Sequence, residues 1–271
     1  MLLTEQRNPK TLHLDQMSAI EIITVMNEEN AYSVACIEKA LPNIARAVDA
    51  ITEAFAVGGR LIYLGAGTSG RLAVADAAEC PPTFGVPQGQ VVGICAGGLN
   101  TMMNARENVE DDPNEGIQEL KKLEISSADV VVGISAAGGA AYVCNALYYA
   151  QQIGCTTVGI TSNSGSKLDQ IADISIAVDT GPEVLTGSTR LKAGNVQKMI
   201  LNMLSTGAMV RSGHVYENLM INLKPTNAKL RERVIRIVRE ITGLEEETAL
   251  SLLDRGDWVI RDALQLWKQT D

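Results

Sequence analysis

The sequence predicts an α/β protein: a doubly wound, five-stranded parallel sheet with helices ahead of it and a small helical tail behind. Three observations carry this. Short apolar runs at 61–64, 91–95, 130–135, 157–161 and 174–178 alternate with helical stretches at 71–78, 101–109, 115–123, 140–153 and 167–172. The runs are apolar on both faces, as strands are when helices cover a parallel sheet on each side. Turns at 65–70, 96–100, 136–139 and 162–165 follow the runs, at the strand ends where such sheets bind ligands.

Residues 1–16 show no period and read as an extended arm. Ser18 is placed to cap a helix through 27, with Ile20, Ile23 and Met26 on one face. A second helix from Asn30 turns Val34, Ile37 and Leu41 inward. Pro42 suits the first turn of a third helix, which Gly58 and Gly59 end. Beyond the sheet, 191–210 is a long helix after the polar loop 186–190. A charged amphipathic helix at 230–241 ends at Gly243, and 244–271 gives two short helices split at Gly256. The implied divisions are a helical lead at 1–57, an α/β domain at 58–225 and a helical tail at 226–271.

Acidic residues outnumber basic ones by 32 to 23, a net charge of −9, which argues against a nucleic-acid or anionic-membrane surface. No apolar run approaches the length of a membrane span, and the start of the chain is polar. The five cysteines show no CxxC spacing, so they read as small core residues of a reducing, cytoplasmic compartment.

The turn at 65–70 leads a strand into a helix expected to open near Arg71. Backbone N–H groups and the helix dipole make such a junction an anion site. Gly67, Thr68, Ser69, Gly70 and Arg71 are its candidate residues, two with hydroxyls and one with a positive charge. It is no Walker A loop, because no Gly-Lys-Ser/Thr follows. Gly65, Gly67 and Gly70 match a dinucleotide fingerprint, yet 88–98 lacks the acid that would hold a ribose. Two histidines far apart, His13 and His214, support neither a metal site nor a nucleophilic relay. The candidate acids and bases are carboxylates. Glu79 is one, expected where Pro81 and Pro82 stop the helix and its dipole favours a protonated acid. Glu107, Glu110, Asp111 and Asp112 form a second cluster, which from spacing alone reads as a solvated helix end.

With these residues laid out, the chain resembles the N-acetylmuramic acid 6-phosphate etherases, of the sugar isomerase (SIS) fold. The matching pieces are LTEQRN from Leu3, GRLIYLGAGTSGRL from Gly59, AAECPPTFGV from Ala77, Val109-Glu110-Asp111, TGSTRLKAG from Thr186 and NMLSTGAMVRSG from Asn202. The resemblance implies elimination of D-lactate from C3 of the open-chain sugar, then hydration. It makes Glu79 the acid at the lactyl oxygen and Glu110 the C2 base. It implies no cofactor and no metal, an amino sugar 6-phosphate as the small-molecule partner, and a homodimer whose site is completed across subunits. Ser135, Gly138, Gly139, Ser188 and Thr189 join the expected phosphate-binding residues. Where the family usually reads Ala-Ser-Gly-Arg-Thr-Pro, this chain has Ala136-Ala137-Gly138-Gly139-Ala140-Ala141. Two lost hydroxyl contacts to a dianion cost about 3–6 kcal/mol, so the alternative is a sugar-phosphate sensor on the same fold.

Overall fold

The structure, a computed structural model, describes residues 2–269 apart from 107, 223, 224 and 226. Five strands, β1 (Leu61–Gly65), β2 (Val91–Cys95), β3 (Val130–Ile134), β4 (Thr156–Thr161) and β5 (Ile174–Ala177), pair in parallel in the order β2-β1-β3-β4-β5. This is the expected sheet. β1 and β3 are buried at every position, and their register sets Gly65 beside Ile134. The helices α1 (Ala19–Cys36), α2 (Leu41–Ala56), α3 (Gly67–Phe84), α4 (Leu99–Met103), α5 (Glu115–Lys122), α6 (Ala141–Ile153), α7 (Lys167–Ile171) and α8 (Lys192–Arg211) accompany it. Ile62 and Leu64 of β1, Val131 of β3, Tyr142, Val143 and Leu147 of α6 and Leu168 of α7 share one core.

By compactness the chain forms two units, residues 1–78 with 89–208, and residues 79–88 with 209–271. The helical lead therefore belongs with the sheet. The second unit holds a two-stranded hairpin, β6 (Val215–Tyr216) and β7 (Leu219–Met220), which the sequence did not announce. It also holds α9 (Ala228–Thr242), α10 (Glu246–Arg255) and α11 (Ile260–Lys268), around Val234, Val238, Leu253 and Ile260.

Four expectations are corrected. The arm expected over 1–16 is not extended where it is described: residues 2–16 make three short 3-10 turns at Leu3–Glu5, Pro9–Thr11 and Leu14–Gln16. The 65–70 turn is not a loop before Arg71, because α3 already opens at Gly67. Pro81 and Pro82 do not stop α3. Proline's fixed φ is compatible with a helix, and one more turn forms past them; the Gly85 N–H closes it on the Pro81 carbonyl at 2.9 Å, and Gly85 leaves it at φ +66°. Glu79 therefore does not sit at a helix end. The helix expected over 101–109 is only Leu99–Met103, with Asn104 beyond it extended.

The two helices expected across 18–41 are a single helix, α1, opened by a capping box between Ser18 and Glu21. Most of the expected apolar face lies outside. Ile20, Ile23 and Val34 are exposed, as is Leu41 at the start of α2, and Met26 is half-buried; Ile37, just past α1, is buried as expected, and within α1 Val25, Glu29 and Ser33 are buried. An ion pair selects that face. Glu29 Oε2 lies 2.5 Å from Nζ of Lys192, which is 1% exposed, and it accepts from Asn8 Nδ2 at 2.9 Å. Lys10 donates to the other oxygen at 2.9 Å. Burial pushes the Glu29 carboxyl up, but these bonds and the Lys192 charge outweigh it and hold it below the ordinary glutamate value. Glu29→Ala leaves Lys192 buried without this partner, a loss of about 3–5 kcal/mol. The melting temperature should fall by about 10 °C. The double variant Glu29→Ala/Lys192→Met should recover most of that. A drop under about 2 °C in the single variant contradicts the assignment.

In the second unit, His214 Nδ1 lies 2.7 Å from Asn222 Nδ2 and 3.2 Å from the Phe84 carbonyl oxygen, and Arg261 donates to the Gly213 carbonyl. Burial, then the Arg261 charge, push His214 below its ordinary value of 6.5, with the Phe84 carbonyl opposing them. A depressed histidine contributes stability above the unfolded-state value that is lost as pH falls through the folded one. Trp258 and Trp267 are the chain's two tryptophans, and both lie in this unit. Thermal unfolding followed by their fluorescence should therefore weaken from pH 7.5 to 5.5, less so in His214→Gln. Equal pH slopes in the two proteins would remove His214 as the cause.

Candidate active site

The sheet order reverses direction between β1 and β3, so their following segments part and leave a crevice at the strand ends. A cleft of about 270 Å³ opens there. Ala66, Gly67, Thr68 and Ser69 line it after β1, and Ile134, Ser135, Ala136, Ala137 and Ala140 after β3. Gly187 and Thr189 come from the loop before α8, Glu110 from the segment before α5, and Glu5 from the N-terminal arm.

The donors lie at the start of α3. Gly67, Thr68 and Ser69 are its first three residues, whose N–H groups have no partner within the helix. Thr68, Ser135 and Thr189 add hydroxyls. Ser135 Oγ accepts from the Gly138 N–H at 3.1 Å, which leaves its own proton to donate. Ser69 Oγ donates its one proton to Gln197 Oε1 at 2.9 Å, so Ser69 offers the cleft its N–H rather than its hydroxyl. No lysine or arginine lines the cleft among the described residues. The groups that this cleft offers an anion are hydroxyls, backbone N–H groups and the helix dipole.

The structure thus brings Gly67, Thr68, Ser69, Ser135, Thr189 and Glu110 together. It leaves five expected phosphate-binding residues off the cleft lining. A Cβ on Gly70 would stand 2.3 Å from the Gly65 carbonyl oxygen and 2.7 Å from Cys95 Sγ, so Gly70 lets α3 approach the sheet. Arg71 donates to the Thr101 carbonyl at 2.7 Å and the Met102 carbonyl at 3.2 Å, which commits its guanidinium to the end of α4. Gly138, at φ +72°, has room for no Cβ: one would fall 2.1 Å from Ser166 Oγ. Gly139 faces open space. Ser188 is tied into its own turn, its N–H on the Leu185 carbonyl and its carbonyl accepting from Leu191. The start of α8 is also taken, since the buried Glu183 carboxylate accepts from the N–H groups of Lys192 and Ala193, both at 3.0 Å.

The acidic cluster divides. Asp112 accepts from the N–H groups of Asn114 and Glu115 at 2.8 and 3.2 Å and so serves the start of α5. Glu110 reaches the cleft, and its carbonyl accepts from the Tyr142 N–H at 3.0 Å, which pins its segment to the first turn of α6. Tyr142 is fully buried and donates to Glu119, whose carboxyl is pushed up by burial first and by the Glu115 charge as well. Asp111 is exposed, and Glu107 lies outside the described residues. Glu79 is an exposed residue of the second unit. Among the described residues no three His, Cys, Asp or Glu side chains gather as metal ligands, and no helix is long and apolar enough to cross a membrane.

Sequence reasoning missed Glu5 as a cleft residue. Its sole signal was membership of the Leu3–Asn8 piece, because an aperiodic arm gives no spacing from which to infer contact with a site.

The family model for the N-terminal SIS domain of glucokinase regulatory protein matches residues 43–151. A phosphoheptose isomerase structure from Francisella tularensis shares the fold, with a TM-score of 0.54 at 19% identity over 71% of this chain and 98% of its own. An N-acetylmuramic acid 6-phosphate etherase of Pasteurella multocida is 52% identical over 92% of this chain and 82% of its own length. One of Edwardsiella ictaluri is 51% identical over 97% of this chain and 88% of its own. With half of its residues shared along nearly all of its length, the chain belongs to the N-acetylmuramic acid 6-phosphate etherase family.

Proposed function

We propose that the protein cleaves the D-lactyl ether of N-acetylmuramic acid 6-phosphate by elimination and hydration, giving N-acetylglucosamine 6-phosphate and D-lactate. The supporting observation is one cleft that holds hydroxyl donors at a helix start together with the Glu110 carboxylate. The phosphate sits against Gly67, Thr68 and Ser69, with Ser135 and Thr189 beside it. In the open-chain sugar the C1 aldehyde makes the C2 proton acidic. Glu110 takes that proton, the C3–O bond breaks, and the lactyl oxygen leaves with a proton from Glu79. Water then adds at C3 of the unsaturated aldehyde, its oxygen to C3 and a proton back to C2. The aldehyde supplies the acidity, so no step calls for a metal or organic cofactor.

The protein acts as a homodimer in the cytoplasm, and pairing of two copies completes the site. The exposed Ile20, Ile23, Val34 and Leu41 support a covered surface on the helical lead.

The test is incubation with N-acetylmuramic acid 6-phosphate in deuterated water. Lactate release with deuterium at C2 of the product is expected. Absence of both lactate and exchange rejects an enzyme, and saturable binding without turnover identifies a sensor.

A further inference from the structure

We propose that Glu5 is a substrate-recognition residue: its carboxylate accepts hydrogen bonds from hydroxyl groups of the open-chain amino sugar, and Asn163 positions the arm that carries it. The proposal rests on the sugar-phosphate function above and assigns a residue beyond the two carboxylates of that mechanism.

Glu5 and Glu110 are the two carboxylates lining the cleft. The other polar groups there, hydroxyls and helix-start N–H groups, suit a phosphate, which only accepts hydrogen bonds. The middle of the sugar carries hydroxyls, which need acceptors, and a carboxylate is a pure acceptor. Glu110 is occupied with the C2 proton. Glu5 is left to receive the hydroxyls, and its charge repels a phosphate that enters the wrong way round. A Cβ on Gly187 would lie 3.4 Å from Glu5 Oε2, which places the carboxylate against the loop that also brings Thr189 to the cleft.

The arm is held firmly. Thr4 is fully buried and Asn163 is 3% exposed. Asn163 Oδ1 accepts from the Leu3 N–H at 2.7 Å, and its Nδ2 donates to Thr4 Oγ1 at 3.1 Å and to the Ala136 carbonyl at 2.9 Å. Ala136 itself lines the cleft, so one amide ties the arm to the cleft wall. Further along, Asn8 bonds Glu29 and the Pro182 carbonyl, and Thr11 Oγ1 donates to the Val184 carbonyl at 2.8 Å. Glu5 lies between these two fastenings. An exposed side chain on a fastened backbone is a presented group.

The experiment measures dissociation constants by calorimetry for N-acetylglucosamine 6-phosphate and for inorganic phosphate, on the unsubstituted protein, Glu5→Ala, Glu5→Gln and Asn163→Ala. Glu5→Ala should weaken the sugar phosphate by about tenfold or more and leave inorganic phosphate within about twofold. Glu5→Gln should fall between. Asn163→Ala should repeat the selective loss, and its combination with Glu5→Ala should lose nothing further, which a general loosening of the fold would not produce. An unchanged sugar-phosphate constant in Glu5→Ala overturns the proposal. So does equal weakening of both ligands, or an unsubstituted protein that binds neither. Lactate release by the unsubstituted protein reports separately on the reaction: a protein that binds selectively through Glu5 without releasing lactate refutes the etherase and keeps this assignment.

Discussion

Glu110→Gln should lower lactate release by about 10²–10⁴-fold, the usual contribution of a general base, while leaving the affinity for N-acetylglucosamine 6-phosphate nearly unchanged. Glutamine keeps the shape of the side chain and cannot take a proton. The Tyr142 N–H bonds the residue-110 backbone carbonyl, so the segment stays on α6 whichever side chain it carries. Exchange of the C2 proton with deuterated solvent should vanish together with lactate release. Glu79→Gln should behave differently: elimination stops, yet exchange at C2 persists, because the base is still present. Exchange that survives in Glu110→Gln would move the base to another residue of the cleft, and Glu5 would be the first to test.

Putting hydroxyls back on the loop after β3 should tighten binding of the sugar phosphate by about 10²–10⁴-fold, at about 1.5–3 kcal/mol for each bond to a charged group. The variant is Ala137→Ser with Ala140→Thr. Both alanines line the cleft, so the new hydroxyls face the ligand rather than the core. Ala140 is also the N-cap of α6, where no side chain now accepts from the helix. Threonine there can accept from a first-turn N–H while it donates to phosphate. That cap adds about 1 kcal/mol of stability on its own, so ligand affinity and melting temperature have to be measured separately. Unchanged affinity would mean that the phosphate lies out of reach of this loop, nearer Thr189.

The two halves of the site were legible to different degrees, for physical reasons. The junction of β1 with α3 was visible because a buried apolar run, a glycine turn and a helix are all local patterns. The individual contacts were not. Arg71 looked like an anion-binding charge, but the Thr101 and Met102 carbonyls, thirty residues on in sequence, claim its guanidinium. Gly70 looked like a backbone donor, but the Ala66 carbonyl already accepts from its N–H at 3.3 Å. Glu110 could not be told from Asp112 by spacing, since both are exposed acids in one polar segment; only packing sends one to a helix cap and the other to the cleft. Its place in the mechanism came from resemblance to a family.

The sequence by itself determined the strands, their parallel pairing on a helix-covered sheet and the strand ends at which the cleft opens, because burial on both faces and turn chemistry are written in neighbouring residues. Only the tertiary structure decided which face of α1 is buried, which hydroxyls share a cleft and that Glu5 joins them. Those outcomes turn on partners far apart in the chain. Lys192 draws Glu29 inward against the preference of Ile20 and Ile23, and Asn163 fastens an arm some 160 residues before it.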